Sequence, residues 1–307
     1  MEDGVKLEET LKMVEASLSL CKWRLKASSK RRLETDILAL CTGMRAVIMV
    51  DYGGRMPELR ERLCSFLKFS QKVESTIFEH LRVMVIEDMI YLIHVKGLAE
   101  LVKSSLNSEL KRYFVDIEQD PPKMITEAEK SSLGRQLISI QKLFSLVFLG
   151  DLTGTDTLKC YGTDSIANAE SSDGKLFTSQ SLDFIDLSSC MQNSEVTLPT
   201  LNGWLLGYPV VYLFGKEHIT DAIYHLSTKS IHLFEILVCR NDNSSKGSLQ
   251  EELMSFSVPY ELSMGGRNEP WAEAFLACIQ TKWERCRHVW VSLKMEVSGC
   301  GPQAMVL

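Results

Sequence analysis

A chain of 307 residues that is 45% hydrophobic and 24% charged has ordinary globular values and is long enough to bury a substantial core. Its formal charge of -6 argues against a nucleic-acid-binding body, which carries a basic surface. No apolar run approaches the roughly 20 residues a membrane helix needs, so no membrane partner is expected.

The acidity is local. Residues 151–200 hold eight acids against Lys159 and Lys175, enough to account for the whole net charge. The start, Met1-Glu-Asp-Gly-Val5, lacks the basic-then-apolar order of a secretory signal. Nine cysteines, an odd number with no Cys-x-x-Cys, fit a reducing compartment, and the cytoplasm or nucleus is the expectation.

In chain order, Leu7, Leu11, Val14, Leu18, Cys21 and Leu25 draw one apolar stripe and predict a first helix. Ser28 and Ser29 offer caps for a second, carrying Leu33, Ile37, Leu40 and Met44. Together they predict a helical hairpin over 6–44. The basic cluster Lys22, Arg24, Lys26, Lys30, Arg31 and Arg32 reads as a solvated face neutralised by Glu15, Glu34 and Asp36. A continuous apolar run from Ala46 to Val50 then predicts a buried strand, followed by a helix over Pro57 to Lys72.

Leu81 to His94 divides at Glu87-Asp88 into two strands or one bent strand. Helices are expected over about Lys96 to Leu110 and from about Thr126, the latter burying Leu133, Leu137, Ile140, Phe144 and Val147. About 150–180 is a polar, acidic insertion rich in Gly, Ser and Thr, with no surviving period. Its Ser and Thr residues beside acids are candidate kinase sites.

The second half reads as antiparallel sheet. Pro209 to Phe214 is a short strand, Ala222 to Leu226 with Ile231 to Cys239 a hairpin, and Met254, Phe256 and Val258 alternate with serines. A helix runs from Pro270 to about Arg287. The closing strand sets Val289, Val291, Leu293, Met295 and Val297 on one face, and Trp290, Ser292, Lys294 and Glu296 on the other. The expected fold is therefore α+β: a mixed, antiparallel-leaning sheet with packed helices and an N-terminal helical hairpin. One composite domain over 1–298 and a short tail at 299–307 complete it.

Leu201-Asn-Gly-Trp-Leu-Leu-Gly-Tyr-Pro209, with Val50-Asp-Tyr-Gly53 and the closing Trp271, Trp283 and Val289 segment, carries a resemblance. The chain resembles an uncharacterised eukaryotic family, classed as a domain of unknown function, that includes the product of human chromosome one open reading frame seventy-four. The resemblance spans about 35–298. It implies no activity, cofactor or catalytic residue.

One constellation bears on chemistry. Asp51, Glu87 and Asp88 fall at strand ends, where converging carboxylates suit Mg²⁺, and Arg55 beside them suits a phosphate. Gly53 and Gly54 supply a turn like those that cradle phosphates before a helix, though no Walker Lys-Ser/Thr follows. Asp51, Arg55 and Asp88 are thus the candidate catalytic residues, Gly53 and Gly54 the candidate cofactor-binding residues, and Asp51, Glu87 and Asp88 the candidate metal ligands; the cofactor is unknown. The leading expectation is a non-enzymatic interaction protein engaging protein partners through the acidic insertion. The alternative is a phosphate- or metal-dependent enzyme centred on Asp51.

Overall fold

The computed structural model describes residues 6–72, 76–107, 112–149, 184–241 and 249–304. The acidic insertion at 150–180 lies outside the described residues.

The chain is α+β. Helices α1 (Leu7–Leu20) and α2 (Ala27–Cys41) form the expected N-terminal hairpin. Helix α1 ends where Lys22 takes a left-handed φ of 54° and the Trp23 N–H turns back to the Leu18 carbonyl. Ser28 and Ser29 do not cap α2. The helix starts earlier, at Ala27, and its boundary residue Lys26 makes no side-chain cap bond.

Strand β1 (Val47–Met49) leads to α3 (Glu58–Lys72), which buries Leu59, Leu63, Phe66 and Leu67. β2 (Leu81–Ile86) and β3 (Met89–His94) are an antiparallel hairpin broken at Glu87-Asp88, as the polar pair in an apolar run predicts. α4 (Val95–Leu106) follows directly, with the His94 ring accepting from the Gly97 N–H as its cap. β4 (Tyr113–Asp116) and β5 (Lys123–Ile125) come next.

Helix α5 (Ser132–Phe148) begins later than Thr126, because the Ser131 hydroxyl accepts from the Gly134 N–H and sets the start there. Then come β6 (Phe184–Asp186), α6 (Leu198–Leu205), β7 (Val210–Leu213), α7 (Ile219–Thr228), β8 (Ile231–Arg240), β9 (Gln250–Pro259), α8 (Pro270–Arg285) and β10 (Trp290–Cys300). Ala222 to Leu226 is helical, not a hairpin arm; its apolar residues Ala222 and Leu226 are four apart and bury one helix face. β8 pairs with β9 instead.

The strands form three sheets. The first has order β1-β3-β2-β6, with β6 parallel to β2. The second has order β5-β4-β7, with β7 parallel to β4. The third, order β10-β8-β9, is wholly antiparallel. The expected facing along β10 fails at its start. A register shift between Trp290 and Ser292 puts Val289 and Trp290 both inside and turns Val291 out.

A first core cluster joins the hairpin, α3, parts of the first sheet, the third sheet and α8. A second lies between the other face of the first sheet, α4, α5 and α6, centred on Trp204, Phe144 and Tyr91.

Candidate functional site

The Asp51 turn is tied down from behind. Gly53 has φ +81°, and a Cβ there would stand 2.8 Å from Leu25 Cδ2 and 2.9 Å from Trp23 Cζ2. The Trp23 indole N–H donates to the Gly53 carbonyl at 3.0 Å, so the glycine turn is the point where the hairpin loop fastens to the β1–α3 connection. Asp51, Gly54 and Arg55 face solvent.

The Val50 N–H donates to the Ile90 carbonyl, which brings the end of β1 beside the start of β3. Asp51 and the Glu87-Asp88 turn therefore lie at the same end of the first sheet, with β3 between β1 and β2. Their surroundings differ. Asp51 acts on Arg32, Asp36, Tyr52 and Tyr208. Glu87, at a left-handed φ of 52°, acts on Tyr91 and Cys190 and donates its N–H to the Ser188 hydroxyl at 2.8 Å. Among the described residues, no three His, Cys, Asp or Glu side chains gather as a metal site needs.

Behind Asp51 is a cluster that takes in Arg32 and Asp36, two members of the expected solvated face. Asp36, expected to neutralise a solvated face, is 1% exposed. The Tyr52 hydroxyl donates to its Oδ2 at 2.6 Å, and Arg32 Nε lies 3.3 Å from its Oδ1. Burial pushes the Asp36 carboxyl above the usual carboxylate range, while Arg32 and the Tyr52 bond pull the other way. Burial likewise lifts the Tyr52 phenol well above its ordinary value.

Arg45 is 6% exposed. It donates from Nη1 to the Leu253 carbonyl at 2.9 Å and from Nη2 to Leu206 at 3.4 Å. Burial lowers its affinity for the proton. The signal that could have found these residues is position: Asp36 adjoins Ile37 on the inward side of α2, and Arg45 opens the apolar run of β1.

A second charged group locks α2 to the third sheet. Arg240 donates from Nε to Glu251 Oε2 and from Nη1 to Glu34 Oε2, both at 2.8 Å, and from Nη2 to the Thr35 hydroxyl at 2.7 Å. Arg31 Nε meets Glu251 Oε1 at 2.5 Å. The basic face of α2 thus divides. Arg31 and Arg32 serve as structural clamps on β9, and Lys30 pairs with Glu15 at 2.9 Å, as expected.

A cavity of about 300 Å³ opens on the other side of the β2–β3 turn. Glu87 and Lys216 border it, Met191, Phe214 and Ile219 give apolar walls, and the first residues of α6 close one end. The Lys216 ammonium donates to the Met191 carbonyl at 3.1 Å. An apolar pocket with two opposed charges and a helix start at its edge is suited to a small amphiphilic ligand. Its members come from four separated segments, and only Glu87 was legible in the sequence.

No curated protein and no solved structure matches the chain. A family does match, over residues 15–307. That span takes in the C-terminal part of α1, all of α2, all three sheets and both charged clusters, so the chain belongs to the domain of unknown function family DUF4504.

Proposed function

We propose that the chain is a non-enzymatic interaction protein of the cytoplasm or nucleus, holding a protein partner on the outer face of α5 and the acidic stretch at 150–180. The observation that carries this reading is the exposure of Leu143 at 47% and Leu146 at 70%. Ser139 and Lys142 share that outer stripe, and Phe144 and Phe148 face the core instead. One exposed leucine is ordinary. Two on one helix face, on a helix that leads straight into an acid-rich sequence, make an apolar anchor with a charged flank. The fitting partner has an apolar groove with a basic rim.

The test is affinity purification with the full chain, with Leu143→Glu/Leu146→Glu, and with residues 150–180 deleted. The expected result is a stoichiometric partner kept by the full chain and lost from both variants. The same background proteins from all three would reject the reading. Residues 1–298 act here as one composite domain, a reading supported by a core cluster whose members run from Met13 to Met295. Within the family, the Asn202 to Pro209 stretch supports grouping the chain with the product of human chromosome one open reading frame seventy-four.

A second reading is a small-ligand or enzymatic site, and the cavity moves it from Asp51 toward Glu87 and Lys216. A thermal-shift series with nucleotides, inorganic phosphate, divalent metals and short-chain carboxylates tests it, because a ligand that binds only the folded state raises Tm. A concentration-dependent rise that Lys216→Glu abolishes supports the cavity. A flat response to all four classes removes it.

A further inference from the structure

The two edges of the third sheet are treated differently. On β9, Leu253 is an extra residue in the ladder, since Ile236 pairs with Met254 and Leu237 with Glu252. The Leu253 carbonyl is taken by Arg45 Nη1 at 2.9 Å and the Glu252 carbonyl by Arg32 Nη1 at 3.0 Å. That edge is bulged, capped by arginines and covered by α2. At Glu252 and Leu253 that edge is closed to another strand.

β10 is the opposite edge. The Trp283 indole N–H covers the Trp290 carbonyl at 2.8 Å, and the register then slips before Ser292. From Ser292 to Cys300 the ladder to β8 runs without a break. Along that stretch no outward backbone group bonds to another part of the described chain. A long, regular edge with free backbone donors and acceptors is a template for one more strand.

The side chains specify which strand. Lys294 and Glu296 lie on the same face, two residues apart, 58% and 40% exposed, and pair at 2.5 Å within the chain. A lone edge lysine would repel a second copy. A Lys–Glu pair on either side of Met295 is instead self-complementary. We propose that β10 pairs antiparallel with β10 of a second copy, about a two-fold axis at Met295. In that register Lys294 lies opposite Glu296 of the second copy, and Glu296 opposite its Lys294. Leu293, half-buried on the inner face, falls opposite Val297, and Ser292 opposite Ser298. The contact is isologous, and it joins the two third sheets into one continuous sheet across the dimer.

Sedimentation equilibrium of the full chain, with circular dichroism to verify folding, tests this. The wild type is expected to be a dimer. Lys294→Glu sets two acids opposite each other at both symmetric positions, and Glu296→Lys sets two bases; each is expected to weaken the dimer at least about tenfold. The double swap Lys294→Glu/Glu296→Lys restores it. An equimolar mixture of the two single variants also dimerises, because each supplies the charge the other lacks. A monomeric wild type overturns the proposal, and so does a dimer that both single substitutions leave unchanged.

Discussion

The Tyr52 hydroxyl donates to the buried Asp36 carboxylate across 2.6 Å, joining the turn after β1 to the middle of α2. This bond lets a carboxylate sit inside the protein beside Arg32, where a bare charge would be strongly disfavoured. Tyr52→Phe is expected to cost about 1.5–3 kcal/mol, the range for a hydrogen bond to a buried charged group, measured by urea unfolding at neutral pH.

The same pair gives a pH dependence of known sign. Asp36 holds its proton more tightly in the folded protein than in the unfolded chain, because burial raises its pKa. Its contribution is therefore fully present below the unfolded pKa, near pH 4, and is lost as pH rises through the folded value. Asp36→Asn removes this dependence. The wild type is expected to gain stability relative to Asp36→Asn as pH falls toward 4. A stability gap that stays constant from pH 4 to 8 would show that Asp36 titrates normally.

Gly53 is required by both backbone and neighbours. Gly53→Ala places a methyl group against Leu25 and Trp23 at a φ that side-chain-bearing residues seldom adopt. The expected loss is about 1–3 kcal/mol, read as a lower Tm.

Arg240 bridges Glu251 and Glu34 with little exposure. Arg240→Met is expected to cost about 3 kcal/mol, because it takes one of two arginine partners from the buried Glu251 and breaks the bond to Glu34. Arg240→Met/Glu251→Met is expected to recover part of that loss, since the second change removes the under-compensated carboxylate. Denaturant unfolding of the two single variants and the double variant gives the coupling directly. Additive effects would mean the pair acts as two independent surface residues.

Burial pushes the thiols of Cys41 and Cys190 up to about 12. At pH 8 both are expected to stay unmodified by iodoacetamide in the native protein and to react once it is unfolded, as mass spectrometry of the digest will show.

Much of the fold is local and was legible. The apolar stripe of α1, the Glu87-Asp88 break between β2 and β3, and the alternation along β9 each express a short-range period. Errors arose where the local signal was shared between two structures. Ala222 to Leu226 is apolar at both ends, which suits a strand or a helix until the third sheet supplies β9 as the partner of β8. In α5 the apolar stripe through Leu137, Ile140 and Phe144 already left Leu143 and Leu146 off the inner face, and both are exposed.

The candidate site followed the same division. By itself, the sequence determined that Asp51 ends a buried strand and that Gly53 follows it in a turn, because strand and turn propensities act over a few residues. Only the tertiary structure decided that Asp36 and Arg45 lie inside, that Arg31 and Arg32 clamp β9, and that β10 is an edge strand among the described residues. The physical reason is range. Burial, ion pairing and edge protection depend on residues hundreds of positions apart, as Arg31 and Glu251 are, and no local period records them.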